Sequence, residues 1–147
     1  VEFNCRFGDP ETQTILPLLE TPLADLLMAC AQKRLGDMPP IAWNSGAAAC
    51  VVMAAGGYPG TYQKGQVITG IDAAESTGAV VFHAGSQLKH QKVLSDGGRV
   101  LGVTATGNDF DEAIANAYQA VERIHFEGAY YRRDIGHRVR TTSAPLS

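Results

Sequence analysis

The chain has 147 residues, 45% of them hydrophobic and 18% charged, with a formal net charge of −3. That length supports one ordinary domain, or a small domain joined to part of another, and the composition is that of a globular protein. The acidic balance speaks against a nucleic-acid partner and no run of residues approaches membrane-spanning length, so neither nucleic acid nor membrane is expected as a partner.

The opening stretch, VEFNCRFGDPETQ (Val1–Gln13), carries the strongest chemical signal. As an extended strand it places Glu2, Asn4 and Arg6 on one face and Phe3, Cys5 and Phe7 on the other. A carboxylate and an amide oxygen two residues apart are hard oxygen ligands of the kind Mg²⁺ takes when it also holds substrate phosphates. Arg6, one pleat further, suits a charge-assisted contact with a phosphoryl oxygen. Gly8 then releases the strand, Asp9 is placed to cap a helix, and Pro10 suits its first position. Pattern alone leaves a second reading open, since the same alternation describes any amphipathic strand that runs into a helix.

Glu11–Leu19 reads as a short helix that Pro17 kinks or ends. Thr21 and Pro22 restart one, and Leu23, Leu26, Leu27, Cys30 and Ala31 recur at helical spacing to about Leu35, predicting a core-facing helix with Thr21 as its cap. The turn formers between Gly36 and Gly46 mark a domain boundary, with Trp43 as the anchor that packs this linker onto the body. Beyond it the period shortens. Strands are expected over Ala47–Ala54, Gln66–Ile71, Ala79–Ala84, more weakly near Lys92–Leu94, and over Arg99–Ala105, with Ser95-Asp96-Gly97-Gly98 as a hairpin turn. Asn108 then caps a helix whose apolar stripe is Phe110, Ile114, Ala117, Val121 and Ile124. Ala129–Gly136 adds a short edge strand, and residues 141–147 form a tail expected to be disordered. The class is therefore α+β, with a small antiparallel or barrel-like sheet packed by one long helix.

Other constellations carry less. The glycine-rich stretch Ala55–Gly65 lacks both Gly-x4-Gly-Lys-Ser/Thr and Gly-x-Gly-x-x-Gly before a helix, so it reads chiefly as a structural turn; Tyr58 and Lys64 bordering a nucleotide is the lesser alternative. His83, His90, His125 and His137 share no metal-ligand spacing, and His83 reads as a hydrogen-bonded strand-end residue. Cys5, Cys30 and Cys50 form no Cys-x-x-Cys pair and sit among apolar neighbours, as reduced core residues of a cytoplasmic protein do. The four arginines Arg132, Arg133, Arg138 and Arg140 read as solvated surface.

The order of residues in Val1–Gln13 resembles the last catalytic strand of the ATP-grasp ligases, and RFGDPETQ (Arg6–Gln13) is similar to the signature of one family among them, the phosphoribosylamine–glycine ligases. GAAACVVMAAGGYPG, KGQVITGID, VVFHAG, GGRVLGVTATG and AVERIHFEGAYYRRDIG resemble later segments of the same family in order. The resemblance implies a carbon–nitrogen ligase of purine biosynthesis that joins glycine to 5-phosphoribosylamine at the expense of ATP, through an acyl phosphate. It implies Glu2 and Asn4 as ligands of Mg²⁺ or Mn²⁺ that bridges the ATP phosphates, and Arg6 as the catalytic basic group beside the reacting phosphoryl and carboxylate. Asp9 and Glu11 belong to the signature without a role beyond capping and substrate contact. It implies further that residues 1–36 are the end of an ATP-grasp domain (strand plus helices), 37–46 a linker and 47–140 a small cap. The family's lysine that grips ATP and its adenine-holding hinge have no counterpart here. With no initiating Met, the chain is expected to be a fragment that works with upstream domains of the same protein and is inactive alone. A related ATP-grasp carboxylase and a non-catalytic docking module are the competing assignments.

Overall fold

The computed structural model describes residues 4–140, so Glu2 and the expected tail at 141–147 lie outside the described residues. Two long strands rich in small and β-branched residues form its centre. β1 (Ala47–Ala55) and β6 (Arg99–Gly107) run antiparallel from Ala47 opposite Gly107 to Met53 opposite Leu101, and the register shifts after Met53 so that Ala54 faces Arg99. β3 (Val80–His83) and β7 (Ala129–Tyr130) complete a four-stranded sheet in the order β3-β6-β1-β7. A second, three-stranded sheet has the order β2-β5-β4, from β2 (Val67–Ile68), β4 (Ser86–Lys89) and β5 (Lys92–Ser95). All the strand pairings among the described residues are antiparallel. The expected α+β class holds, with two open sheets in place of a barrel.

The reason lies at Ser95–Gly98, expected to turn a hairpin. β5 pairs with β2 and β4 whereas β6 pairs with β1 and β3, so this segment carries the chain from one sheet to the other. Asp96 N–H donates to the Gly85 carbonyl at 2.7 Å and Gly85 N–H to the Arg99 carbonyl at 2.8 Å. Gly85 and Gly97 meet so closely that a Cβ on either would overlap the backbone of the other. The true hairpin turns at His90 and Gln91, whose φ values of 48° and 61° are those of a type I′ turn. β4 escapes sequence reading because SQLK is short and its Leu88 points to solvent, 76% exposed.

One face of the four-stranded sheet is closed by α4 (Phe110–Val121), whose Ala113, Ile114, Ala117, Ala120 and Val121 are buried. They pack with Ala49, Val51 and Met53 of β1 and Val100 and Val103 of β6 in the core. Phe110, expected on the same stripe, is 52% exposed. The cap of α4 is Asp109, one residue later than expected. Its carboxylate accepts from Glu112 N–H at 2.8 Å, while Glu112 reaches back to accept from Asn108 N–H at 2.7 Å, a reciprocal arrangement like a capping box. A short helix, α3 (Ile71–Glu75), was not expected; it follows Gly70, whose φ of 83° favours glycine.

The other sheet face is met by α1 (Glu11–Ile15) and the 3₁₀ turn Leu16–Leu18, which contains Pro17 as expected. α2 (Leu23–Ala31) departs from expectation: it ends four residues early and is not core-facing, since only Ala29 is buried and Leu27 and Met28 are 52% and 55% exposed. Lys33, with φ of 57°, lies beyond the helix end. Thr21 does not cap it either, because its hydroxyl accepts from Ala42 N–H at 2.8 Å. That bond, with Asn44 N–H to the Leu18 carbonyl at 2.8 Å and a bridge between Leu19 and Trp43, ties residues 42–44 back to 18–21. Backbone pairing thus anchors this segment, and the Trp43 residue is half-exposed. Among the described residues, no helix is long and apolar enough to cross a membrane.

Removing the fully buried Leu101 side chain with Leu101→Ala should cost about 2–5 kcal/mol in urea unfolding, whereas Asp109→Ala, which removes only a cap, should cost about 1 kcal/mol.

Candidate functional site

A strand is held by the ladder of a neighbour. Residues 4–8 pair with no described strand; they bend at Cys5 and Arg6, with Asn4, Cys5, Arg6 and Phe7 exposed. The alternation expected of a strand is therefore absent over these residues. Asn4 and Arg6 nevertheless line one hollow of about 590 Å³, shared with Cys5, Phe7, Glu11 and Leu27. The Arg6 guanidinium donates to the Phe7 carbonyl at 3.2 Å. Glu2, the second expected metal ligand, is outside the described residues. Among those described, no group of three or more His, Cys, Asp or Glu side chains is placed to hold a metal.

Asp9 does not cap α1, whose cap position is Pro10 and lacks a side-chain bond. Its carboxylate is used elsewhere. Oδ1 accepts from Gln13 Nε2 at 3.0 Å, one helical turn on. Oδ2 lies 3.0 Å from Arg99 Nη2, and Arg99 Nη1 donates to the Asp9 carbonyl at 3.3 Å. The signature segment is thereby tied to the first residue of β6. Sequence reading gave Arg99 no part; the one available signal is a lone cation opening an otherwise uncharged strand.

Arg99 also borders a smaller hollow, about 270 Å³, with Pro10, Cys50, Tyr58, Tyr130 and Arg132. Burial pushes the Cys50 thiol above its ordinary pKa; a hydrogen bond with Thr104 opposes this and the Asp9 carboxylate adds to it. Arg132 forms a two-point pair with Asp134, at 2.9 and 2.8 Å, which holds the Asp134 carboxyl below its usual range. Arg133 stands over the Tyr131 ring at 5.2 Å. Arg132, Arg133 and Arg138 are exposed, as expected; Arg132 is held by Asp134 and Arg133 by the Tyr131 ring.

The remaining candidates have structural partners. Tyr58 meets Tyr62 edge-on at 6.1 Å, and Lys64 Nζ lies 3.4 Å from Asp96. Gly65 N–H donates to the Ser95 carbonyl at 2.6 Å and Gln66 N–H to the buried Ser95 hydroxyl at 3.1 Å, so the glycine-rich stretch is bonded to the end of β5. His83, exposed at the end of β3, has Nδ1 2.8 Å from Ser86 Oγ, in keeping with a strand-end residue. All three cysteines are free thiols, yet only Cys50 is buried; Cys5 and Cys30, expected in the core, are exposed.

Fold and geometry together define a small α+β domain with a helix on one sheet face and, clasped to the other, a segment bearing a ligase-like signature. Comparison with known proteins agrees. A family described as "Phosphoribosylglycinamide synthetase, C domain" matches residues 48–138. A phosphoribosylamine–glycine ligase of Nostoc sp. is 63% identical over 142 residues, covering 96% of this chain and 33% of the relative. A trifunctional purine biosynthetic protein, adenosine-3, of Gallus gallus is 51% identical over 138 residues, covering 94% of this chain and 14% of the relative. A crystal structure of phosphoribosylamine–glycine ligase from Thermotoga maritima superposes with a TM-score of 0.74 at 40% identity, covering 92% of this chain and 33% of that one. The chain belongs to the phosphoribosylglycinamide synthetase C-domain family. It spans about a third of the length of the single-function ligases it matches.

Thiol labelling at pH 8 should find Cys5 and Cys30 reacting quickly and Cys50 about 10-fold slower or more, because a raised thiol pKa leaves less thiolate at that pH and the sulfur is shielded.

Proposed function

We propose that this chain is part of an ATP-dependent ligase that joins glycine to 5-phosphoribosylamine to give glycinamide ribonucleotide. The observation that carries the proposal is the 63% identity to a phosphoribosylamine–glycine ligase over 96% of the chain, which takes in both the signature and the cap. We propose the matching division: residues 1–36 end an ATP-grasp domain, 37–46 link, and 47–140 form a cap. The family match over residues 48–138 supports the last of these. The remaining length of the relatives supplies the rest of the site, so the isolated chain should form no product. Three free thiols suit the reducing cytoplasm proposed as its compartment.

In the reaction, the glycine carboxylate attacks the γ-phosphorus of ATP and ADP leaves. The amine of phosphoribosylamine then attacks the resulting acyl carbon, phosphate departs, and the amine loses a proton. The proposed role of Arg6 is to neutralise charge on the transferring phosphoryl group, a role that its exposed guanidinium on the rim of the 590 Å³ hollow allows. The Asn4 amide lines the same hollow, and together with the Glu2 carboxylate it would offer the hard oxygen donors that Mg²⁺ or Mn²⁺ takes. When bound, the ion would screen the ATP phosphates; Glu2 and Asn4 would hold it.

Phosphate release by the full-length ligase should require both glycine and phosphoribosylamine, and absence of that dependence would refute the assignment. Within it, Glu2→Gln should raise the Mg²⁺ concentration needed for half-maximal rate, with recovery in excess Mg²⁺ or Mn²⁺. Arg6→Ala should lower kcat by about 100-fold while the KM for ATP changes far less; a change confined to KM would remove Arg6 from the chemical step.

A further inference from the structure

We infer that Arg99 is a positioning residue for the signature segment: by gripping Asp9 through both side chain and main chain, it fixes where Asn4 and Arg6 stand relative to the cap sheet. The inference rests on the proposed ligase function and deepens it, since the family assignment gives Arg99 no task.

Three features support it. First, the grip is double: Arg99 Nη2 lies 3.0 Å from Asp9 Oδ2, and Nη1 donates to the Asp9 carbonyl at 3.3 Å. A contact that includes the main chain sets the path of the backbone as well as the direction of a side chain. Second, both ends are themselves anchored. Around Arg99, Ala55 N–H donates to the Gly98 carbonyl at 2.8 Å, Gly85 N–H to the Arg99 carbonyl at 2.8 Å, and Ala84 N–H to the Val100 carbonyl at 3.1 Å. Around Asp9, Gln13 donates to the carboxylate at 3.0 Å and Thr12 N–H to the Gly8 carbonyl at 2.9 Å. Arg6 is three residues from this anchored point, and Gly8 between them is buried. Third, the pair is half-exposed, with side chains 43% and 48% accessible, so it contributes little to global stability. A site whose groups must meet a transferring phosphoryl is far more sensitive to small displacements than the fold is.

The test is steady-state kinetics of the full-length ligase carrying Arg99→Ala, Arg99→Lys, Asp9→Asn, or Asp9→Asn with Arg99→Ala, with Lys92→Ala on the distant hairpin as a control. Arg99→Ala and Asp9→Asn should each lower kcat about 10-fold with KM for glycine and phosphoribosylamine little changed. The double variant should be no slower than the worse single one, because the two residues act as a unit. Arg99→Lys, which keeps the charge but loses the fork, should fall between wild type and alanine, and the control should match wild type. Wild-type kcat in Arg99→Ala, or additive losses in the double variant, would overturn the inference. So would a rise in KM for phosphoribosylamine with Asp9→Asn silent, which would place Arg99 on that substrate through the 270 Å³ hollow it borders. Circular dichroism screens each variant for folding, and Arg99→Lys, which keeps the charge, and Asp9→Asn, which is nearly isosteric, carry the test if the alanine variant does not fold. A wild-type ligase without glycine-dependent turnover would refute the proposed function itself, whereas active wild type with unaffected variants refutes this inference alone.

Discussion

The antiparallel ladder between β1 and β6 sets the conditions for the rest of the molecule. Each strand is nine residues long, and pairing them satisfies the backbone while presenting side chains on both faces for burial. The composition of β1 answers that demand. Ala49, Val51 and Met53 face the α4 side, and Ala48, Cys50 and Ala54, all small, face the other way and are also buried. Small residues on the second face let α1 come close, and Gly102 of β6, opposite Val52, leaves room beside the Cys50 sulfur. A larger set there would hold the signature segment off the sheet.

That closeness gives the functional reading its geometry. The C domain does more than cover a core, because its central sheet is the surface on which the segment from Glu11 to Leu18 rests, and the Asp9–Arg99 pair fastens the two at one point. The family match begins at residue 48, whereas the relatives' similarity runs over 94–96% of the chain. The signature and the C domain therefore occur together in the relatives, as contact between them in one structure would require.

Much of this was legible in sequence where a local rule acts alone. The α4 stripe, the glycine-bounded run at Ala47–Ala54 and the stop at Pro17 depend on near neighbours, and each element formed close to its expected bounds. Errors arose where a partner distant in sequence decides. Residues 4–8 alternate like a strand but pair with no described neighbour; α2 has an apolar stripe that the described chain covers only in part, so its periodicity predicted burial that Leu27 and Cys30 do not show. Ser95–Gly98 has the chemistry of a hairpin, yet which strands flank it in space is settled by pairings made 25 or more residues away, between β5 and β2 and between β6 and β1. Asp9 looked like a cap because caps are local; its bond to Arg99 spans 90 positions and leaves no periodic trace.

The crossing at Gly85 and Gly97 has a mechanical consequence. There the two sheets touch backbone to backbone, joined by the bonds from Asp96 N–H to the Gly85 carbonyl and from Gly85 N–H to the Arg99 carbonyl. No side chain separates the two glycines, so the base of the β4–β5 hairpin is held by backbone contact on both sides of the crossing. Arg99, whose carbonyl accepts one of these bonds and whose guanidinium holds Asp9, is the residue at which the join between the sheets and the grip on the signature segment coincide.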